Sequence, residues 1–277
     1  MSFEEFFELN LPKVDSFHPH FNDSLSWVLK AGGKHFRAKL LLGVVDALKP
    51  DLKSASYPVA AAVEMLHTYS LIHDDLPCMD NADLRRGVAT LHVKYDEVSA
   101  VLAGDALNTH AFYMLSSANL PAEAVVKCVQ TLAENGGIYG MVIGQAIDCY
   151  FENKHLNLDE LKFLHLHKTG ALIAASMKMG AIISAQSDKQ CEKIYNIGLK
   201  LGLAFQIHDD IIDATSDEMK AGKTVNNDLF KNSFTNLMGV NGAIDARDEI
   251  ENEILYELDG SPLKTLILNL INKYLKG

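Results

Sequence analysis

Apolar residues recur at three- and four-residue spacing through most of this chain, and they almost never alternate. That spacing puts one face of a helix into a core, whereas a half-buried strand requires alternation. The pattern covers residues 38–49, 57–76, 97–118, 121–150, 158–184, 188–216, 242–258 and 262–275. Breaks fall at Gly32-Gly33, Pro50, Pro77, Gly87, Pro121, Asn153, Ser187, Gly222 and Pro262, where glycine, proline or a polar turn interrupts a helix. The expected fold class is all-α, a bundle of roughly ten helices or more. The 277 residues suit either two average domains or one large helical one. No repeat, low-complexity tract or Pro/Gly-rich linker divides them.

Two helices in this pattern end or run through clustered carboxylates. The stretch EMLHTYSLIHDDLPCMDNADLRRG (64–87) closes an apolar run on Asp74 and Asp75, then places Asp80 just beyond Pro77. Burying an unpaired carboxylate is expensive, and adjacent acids repel. Two such oxygens offset by a bend suit one Mg²⁺, which keeps much of its water and takes one or two protein carboxylates plus substrate phosphates. Arg85 and Arg86 follow at once, and a planar guanidinium grips phosphate oxygens with two bonds. GLAFQIHDDIIDATSD (202–217) repeats the theme. Asp209 and Asp213 lie four apart on one helix face, Gln206 lies one turn before Asp210, and Asp210 points about 100° away from Asp209. The bland alternatives are a solvated acidic turn and a solvated helix face.

Other chemistry-bearing residues are weaker signals alone. AGGKHFRAKLLL (31–42) sets Lys34 and Arg37 three apart after two glycines, an arrangement that suits an anion at a helix start. His67 lies seven before Asp74, about 10.5 Å along one face, and Tyr69 lies five before it, about 7.5 Å down the helix. Lys168 and Thr169 precede Gly170 inside a helical run, and Lys223 follows Gly222 in a polar loop. Core histidine, core tyrosine and exposed lysine are the ordinary readings of these. Glu64–His67 and Glu152–His155 also match the spacing of di-iron bundles, but the second pair sits in FENKH, which reads as a loop.

Net charge is −11, which argues against nucleic acid and anionic membrane as partners. No apolar run reaches the ~20 residues of a membrane span. The opening residues show no charged-then-apolar signal layout, and Cys78, Cys128, Cys149 and Cys191 form no CxxC. Reduced thiols in a cytoplasmic protein are expected.

Taken together, these residues resemble the trans-prenyltransferases of the polyprenyl diphosphate synthase family, in their bacterial farnesyl/geranylgeranyl form. DDLPCMD (74–80) and DDIID (209–213) stand as the two aspartate-rich motifs. GGKHFR, LRRG, GDALN (104–108), GQAIDC (144–149), KTG and FQ fall in the family's order from about Gly32 to Lys231. The resemblance implies one domain over 1–277, with antiparallel helices around a deep central cavity, acting as a homodimer. It implies head-to-tail condensation of isopentenyl diphosphate with an allylic diphosphate, three Mg²⁺ ions (Mn²⁺ as a substitute), and small isoprenoid diphosphates as the ligands. Carried over residue by residue, Asp74, Asp80 and Asp209 become metal ligands, with Asp75 and Asp213 in support. Lys34, Arg37, His67 and Arg86 would hold isopentenyl diphosphate. Arg85, Lys168, Thr169, Gln206 and Lys223 would face the allylic diphosphate or the developing cation. Tyr69 would be the floor that stops the chain at fifteen carbons, the farnesyl length; a small residue or methionine there would suit twenty.

The sequence departs from the family's pattern at His35 and Ala38, where Arg and Pro are common, and at Ala82, which replaces an aspartate. The alternatives are a geranylgeranyl synthase, a terpene cyclase, a non-catalytic subunit and a di-iron bundle. Intact DDIID together with Lys34, Arg37 and Arg86 speaks against the cyclase, and intact aspartates speak against the subunit.

Overall fold

The computed structural model describes residues 1–221 and 232–276 and is almost entirely helical. The chain divides into two compact units, Met1–Gln130 and Thr131–Gly277.

The first unit opens with α1 (Phe3–Leu9), α2 (Phe21–Lys30) and α3 (Phe36–Leu48). Two short 3₁₀ turns lead into α4 (Tyr57–Asp74). Val59, Ala60, Ala61, Ala62, Val63, Met65 and Leu66 of α4 are all buried. A helix that is apolar all round belongs in a core, so α4 is the central rod of this unit. A two-stranded antiparallel hairpin follows, β1 (Leu84–Arg85) and β2 (Val88–Ala89), pairing Leu84 with Ala89 and Arg85 with Val88. Its two turn residues, Arg86 and Gly87, have φ of 55° and 80°. A two-residue hairpin turn of this hand requires positive φ at both positions. The Trp27 indole N–H donates to the Ala89 carbonyl at 2.9 Å and fastens the hairpin to α2. A short α5 (Leu91–Lys94) leads to α6 (Glu97–Ser116). α4 packs on α6 at Gly104, where any Cβ would fall 2.1 Å from the His73 ring. His73 donates to the Val101 carbonyl at 3.0 Å, so it is a packed structural histidine.

The unit boundary falls inside α7 (Ala122–Gly136), which is followed by α8 (Met141–Phe151) and α9 (Leu158–His165). One continuous helical pattern over 121–150 was expected; the structure breaks it at Gly136–Gly140. A Cβ on Gly140 would sit 2.0 Å from the Asn135 carbonyl oxygen, so the turn needs glycine there. Leu166–Gly170 form one π-helical turn, continued by α10 (Ala171–Ile183). Such turns are frequent at functional sites because they push side chains out of α register. α11 (Asp188–Ala221) is the longest helix described, and α12 (Phe234–Glu257) and α13 (Leu263–Tyr274) complete the unit. α10 and α11 approach closely: a Cβ on Gly198 would lie 2.5 Å from Ala174 Cα, and one on Gly202 would lie 2.5 Å from Gly170 Cα. Leu161, Leu164, Leu203, Ile207, Ile211 and Phe234 form a buried cluster beneath the acidic stretch of α11.

Candidate active site

In the first unit the predicted residues gather around the C-terminal end of α4. Asp74 ends the helix, and the Asp80 N–H donates to the Asp74 carbonyl at 2.9 Å. That bond folds the loop back, so Asp74 and Asp80 lie on the two sides of one tight bend. The Ala82 N–H closes the same loop onto the Asp75 carbonyl at 3.1 Å. Carboxylates at a helix C-terminus oppose the macrodipole, at a cost of about 0.3–1 kcal/mol each at an exposed position. Asp75 is relieved of this: it is buried, and its Oδ1 accepts from Arg85 Nε at 2.8 Å and Nη2 at 2.5 Å. Its Oδ2 is buried without a hydrogen-bond partner.

Arg85 therefore lies between carboxylates. Burial lowers its pKa, but the Asp75 hydrogen bonds and the charges of Asp75, Asp74 and Asp80 raise it above the ordinary guanidinium value. A pair of hard oxygen donors at the negative end of a helix, with the third acid already neutralised, fits a divalent cation such as Mg²⁺.

The basic residues come from three elements, Arg37 from α3, His67 from further back on α4 and Arg86 from the hairpin turn. Arg86 donates to the Gly32 carbonyl, and its guanidinium lies so flat on Gly33 that a Cβ there would sit 2.8 Å from Nη1. Arg37 Nη1 lies 3.1 Å from His67 Nε2. An arginine only donates, so Nε2 is the acceptor and the neutral imidazole carries its proton on Nδ1. Burial first, then the charges of Arg37, Arg86 and Arg85, hold the His67 pKa well below the ordinary value. Burial likewise brings Arg37 down to about 10, with Glu64 opposing and Arg86 adding. This is an electropositive corner with a neutral N–H donor in it, a good fit to diphosphate oxygens. Lys34 lies exposed just beyond Gly33.

Glu64 underpins this corner. Its Oε1 accepts the Ala38 N–H at 2.9 Å, and its Oε2 lies 3.5 Å from His35 Nδ1. Burial pushes the Glu64 carboxyl up, but the His35 and Ala38 hydrogen bonds and the His35 and Arg37 charges bring it below its ordinary value. His35 holds φ of 45° and caps α3 between the rings of Phe3 and Phe7. Two of the three departures from the family's pattern, His35 and Ala38, thus converge on one carboxylate. The sequence signal was present, an acid inside VAAAVEML, since a charge in a buried run must be satisfied. Glu152 and His155 are exposed and lie outside any helix, so the second di-iron pair does not form on a helix.

Tyr69 is half-buried on α4, edge-on to the His73 ring at 5.7 Å. Burial raises its phenol pKa.

In the second unit, Lys168 and Thr169 project from the π-helical turn. Lys168 Nζ pairs with Asp148 Oδ2 at 2.5 Å. α8 approaches that turn at Gly144, where a Cβ would fall 2.2 Å from the Lys168 backbone nitrogen. Asp148 was not singled out from sequence; its only signal was an acid in the apolar run MVIGQAIDC. The Thr169 hydroxyl donates to Gln206 Oε1 at 3.2 Å. On α11, Asp209 is half-buried, Asp213 is exposed and Asp210 is buried. Asp210 accepts the Phe234 N–H through Oδ2 at 2.8 Å. The sequence reading that Asp210 turns away from Asp209 and Asp213 is what the helix builds. His165, one residue before the π turn, is buried with neither ring nitrogen hydrogen-bonded. Burial lowers its pKa to about 4. Lys223 lies outside the described residues.

Comparison with known proteins identifies the family. The family model for polyprenyl synthetase matches residues 18–261. The farnesyl diphosphate synthase of Haemophilus influenzae is 38% identical over 267 residues, covering 95% of this chain and 90% of that protein. The geranylgeranyl diphosphate synthase of Cyanophora paradoxa is 40% identical over 243 residues, covering 84% and 81%. Among solved structures, the Helicobacter pylori geranyltransferase complexed with magnesium and isoprenyl diphosphate superimposes with a TM-score of 0.90 at 46% identity, covering 99% of this chain and 94% of that one. With its helical fold, its two aspartate-bearing helices and a family match over most of its length, this chain belongs to the polyprenyl synthetase family.

Proposed function

We propose that this chain is a farnesyl diphosphate synthase, condensing isopentenyl diphosphate head-to-tail with dimethylallyl and then geranyl diphosphate. It is a prenyltransferase by family. The observation that carries the substrate reading is the corner in which Arg37 of α3, Arg86 of the hairpin turn and neutral His67 of α4 meet, with Asp74 and Asp80 at the far end of α4. Such a corner accepts one anion directly and a second through cations. The farnesyl length rests on Tyr69, a bulky residue one and a half turns below Asp74, and on relatives such as the Haemophilus influenzae farnesyl diphosphate synthase.

The roles follow from the chemistry. Lys34, Arg37, His67 and Arg86 bind the diphosphate of isopentenyl diphosphate. Asp74, Asp80 and Asp209, with Asp213 in support, would hold Mg²⁺ for the allylic diphosphate, three ions with Mn²⁺ as a substitute. The magnesium complex seen for the Helicobacter pylori geranyltransferase supports the metal. When bound, Mg²⁺ supplies Lewis-acid neutralisation of the leaving diphosphate. Arg85 and Lys168 add fixed positive charge to the same oxygens, and Lys223 is assigned there by resemblance. The allylic C–O bond then breaks, its electron pair leaving with diphosphate. Thr169 and Gln206 meet the resulting cation with oxygen dipoles, which stabilise charge without forming a bond. The isopentenyl double bond attacks the cation, a C–C bond forms, and the adjacent proton passes to the released diphosphate.

The whole chain, 1–277, acts as one catalytic domain in this reading, as a cytoplasmic homodimer. The family match across both units supports the first point. Exposed Val98, Val101, Leu102 and Tyr113 along α6, Ile138 and Tyr139 in the turn before α8, and Val142 and Ile143 in its first turn support a partner subunit. No described helix is long and apolar enough to cross a membrane.

The test is a product assay with isopentenyl and dimethylallyl diphosphates and Mg²⁺, resolved by chain length. A fifteen-carbon product is expected. A twenty-carbon product would keep the chemistry and remove Tyr69 as the floor, and no condensation would remove the reading altogether.

A further inference from the structure

We propose that Asp210 is a positioning residue that fixes which end of the Gln206 amide meets the allylic cation. The inference rests on the assignment of Gln206 and Thr169 above.

Asp210 is buried, and one of its oxygens is committed to structure: Oδ2 accepts the Phe234 N–H at 2.8 Å, at the first turn of α12. Phe234 is itself fully buried in the core beneath α11, which seats this anchor among packed side chains. The other oxygen, Oδ1, lies 3.2 Å from the Gln206 amide one turn earlier on α11. A carboxylate only accepts, so the group facing it must be the Gln206 NH₂. That settles the amide from chemistry, independently of how its two ends are drawn. The carbonyl oxygen is thereby turned the other way, where the Thr169 hydroxyl donates to it at 3.2 Å. The hydroxyl, having spent its proton on Gln206, has only lone pairs left to offer.

A chain of four groups therefore runs from a buried backbone N–H to two oxygens: Phe234, Asp210, Gln206, Thr169. Each link has one polarity. A glutamine free to flip would present N–H groups to a developing cation about as readily as oxygen. Asp210 removes that choice before substrate arrives, which is preorganisation of a dipole. The second acid of the DDIID stretch thus has a task unlike that of its neighbours Asp209 and Asp213.

Asp210→Asn separates this role from a capping role. Asparagine keeps a carbonyl oxygen for the Phe234 N–H, which leaves its NH₂ facing Gln206 and forces that amide to flip. The experiment compares wild type, Asp210→Asn, Gln206→Met and the double variant, reading kcat, KM for geranyl diphosphate, and Tm. The expected result is a kcat lowered about 10-fold in Asp210→Asn, with KM for geranyl diphosphate within about twofold. The double variant should be no slower than Gln206→Met alone, the non-additivity of residues acting through one another.

A second comparison decides the matter if Asp210→Asn folds poorly. Gln206→Glu alone sets two carboxylates against each other, whereas Gln206→Glu with Asp210→Asn restores a donor–acceptor pair with oxygen toward Thr169. The combined variant should be at least about fivefold faster than Gln206→Glu. Additive losses, or Gln206→Glu as fast as the combined variant, would overturn the inference while leaving an active wild type. A wild type that condenses nothing would instead overturn the functional reading on which it rests.

Discussion

His165 shows how much one side chain contributes to the behaviour of the protein. It is buried against Phe234, with ring centroids 5.5 Å apart and no hydrogen bond to either nitrogen. Its folded pKa of about 4 lies below the ordinary 6.5 because burial disfavours the charge. Above pH 6.5 the ring is neutral folded or unfolded, and its presence has no pH-dependent cost. As pH falls from 6.5 toward 4 the unfolded chain takes up a proton that the native state refuses, so stability is lost, by about 3 kcal/mol in full. His165→Phe should therefore flatten the fall of Tm between pH 6.5 and 4 relative to wild type; parallel curves would contradict the account. Tyr69 carries the second prediction at this scale. Tyr69→Ala should shift the product toward twenty carbons with Tm nearly unchanged, since the ring is only half-buried. An unchanged product spectrum would remove it as the floor. These two residues also mark what was readable beforehand. The place of Tyr69 on the helix was legible because its spacing from Asp74 is a property of any helix, whereas its role as floor comes from the family resemblance alone. His165 was not, because nothing in HLHKTG shows which histidine the fold will bury.

Elements were legible where one local rule acts and illegible where tertiary contact decides. α4, α6, α11 and α13 lie close to where apolar spacing placed them. α7 and α8 were read as one helix, because the apolar spacing continues across ENGGIYGM and only the close approach of Gly140 to Asn135 forces the turn. The π turn at Leu166–Gly170 left no sequence signal, since it depends on how α8 and α11 press on it. That pressure yields a prediction. Gly144→Ala would place a methyl 2.2 Å from the Lys168 backbone, so α8 must shift away from the turn. We expect a loss of about 1–3 kcal/mol, read as a lowered midpoint in denaturant. A fall in kcat larger than that of Gly180→Ala in α10 should accompany it, because Lys168 and Thr169 move. Wild-type stability in Gly144→Ala would contradict the packing described.

At the scale of the molecule, the fold class was legible from periodicity and the family from ordered motifs, whereas the use of each acid was not. Helix periodicity turned Asp210 away from Asp209, but it could not name the partner of Asp75 or of Asp210, because each comes from a distant part of the chain. In the structure Asp75 answers Arg85 and Asp210 answers Phe234, while Asp74 and Asp209 stand at the ends of their clusters assigned to metal. The exposed apolar residues of α6 predict that Val101→Glu with Leu102→Glu yields a monomer in sedimentation experiments where wild type is dimeric; a variant that stays dimeric would place the partner's contact elsewhere.

The proposed role of Asp74 and of Asp209 is to bind an allylic diphosphate through Mg²⁺. Calorimetric binding of geranyl diphosphate, with and without Mg²⁺ and in the absence of isopentenyl diphosphate, tests it directly. The account predicts that Mg²⁺ strengthens binding by at least about 10-fold, and that Asp74→Asn and Asp209→Asn each abolish that gain while Tm stays within a few degrees. Binding indifferent to Mg²⁺, or a gain untouched by Asp209→Asn, would contradict it.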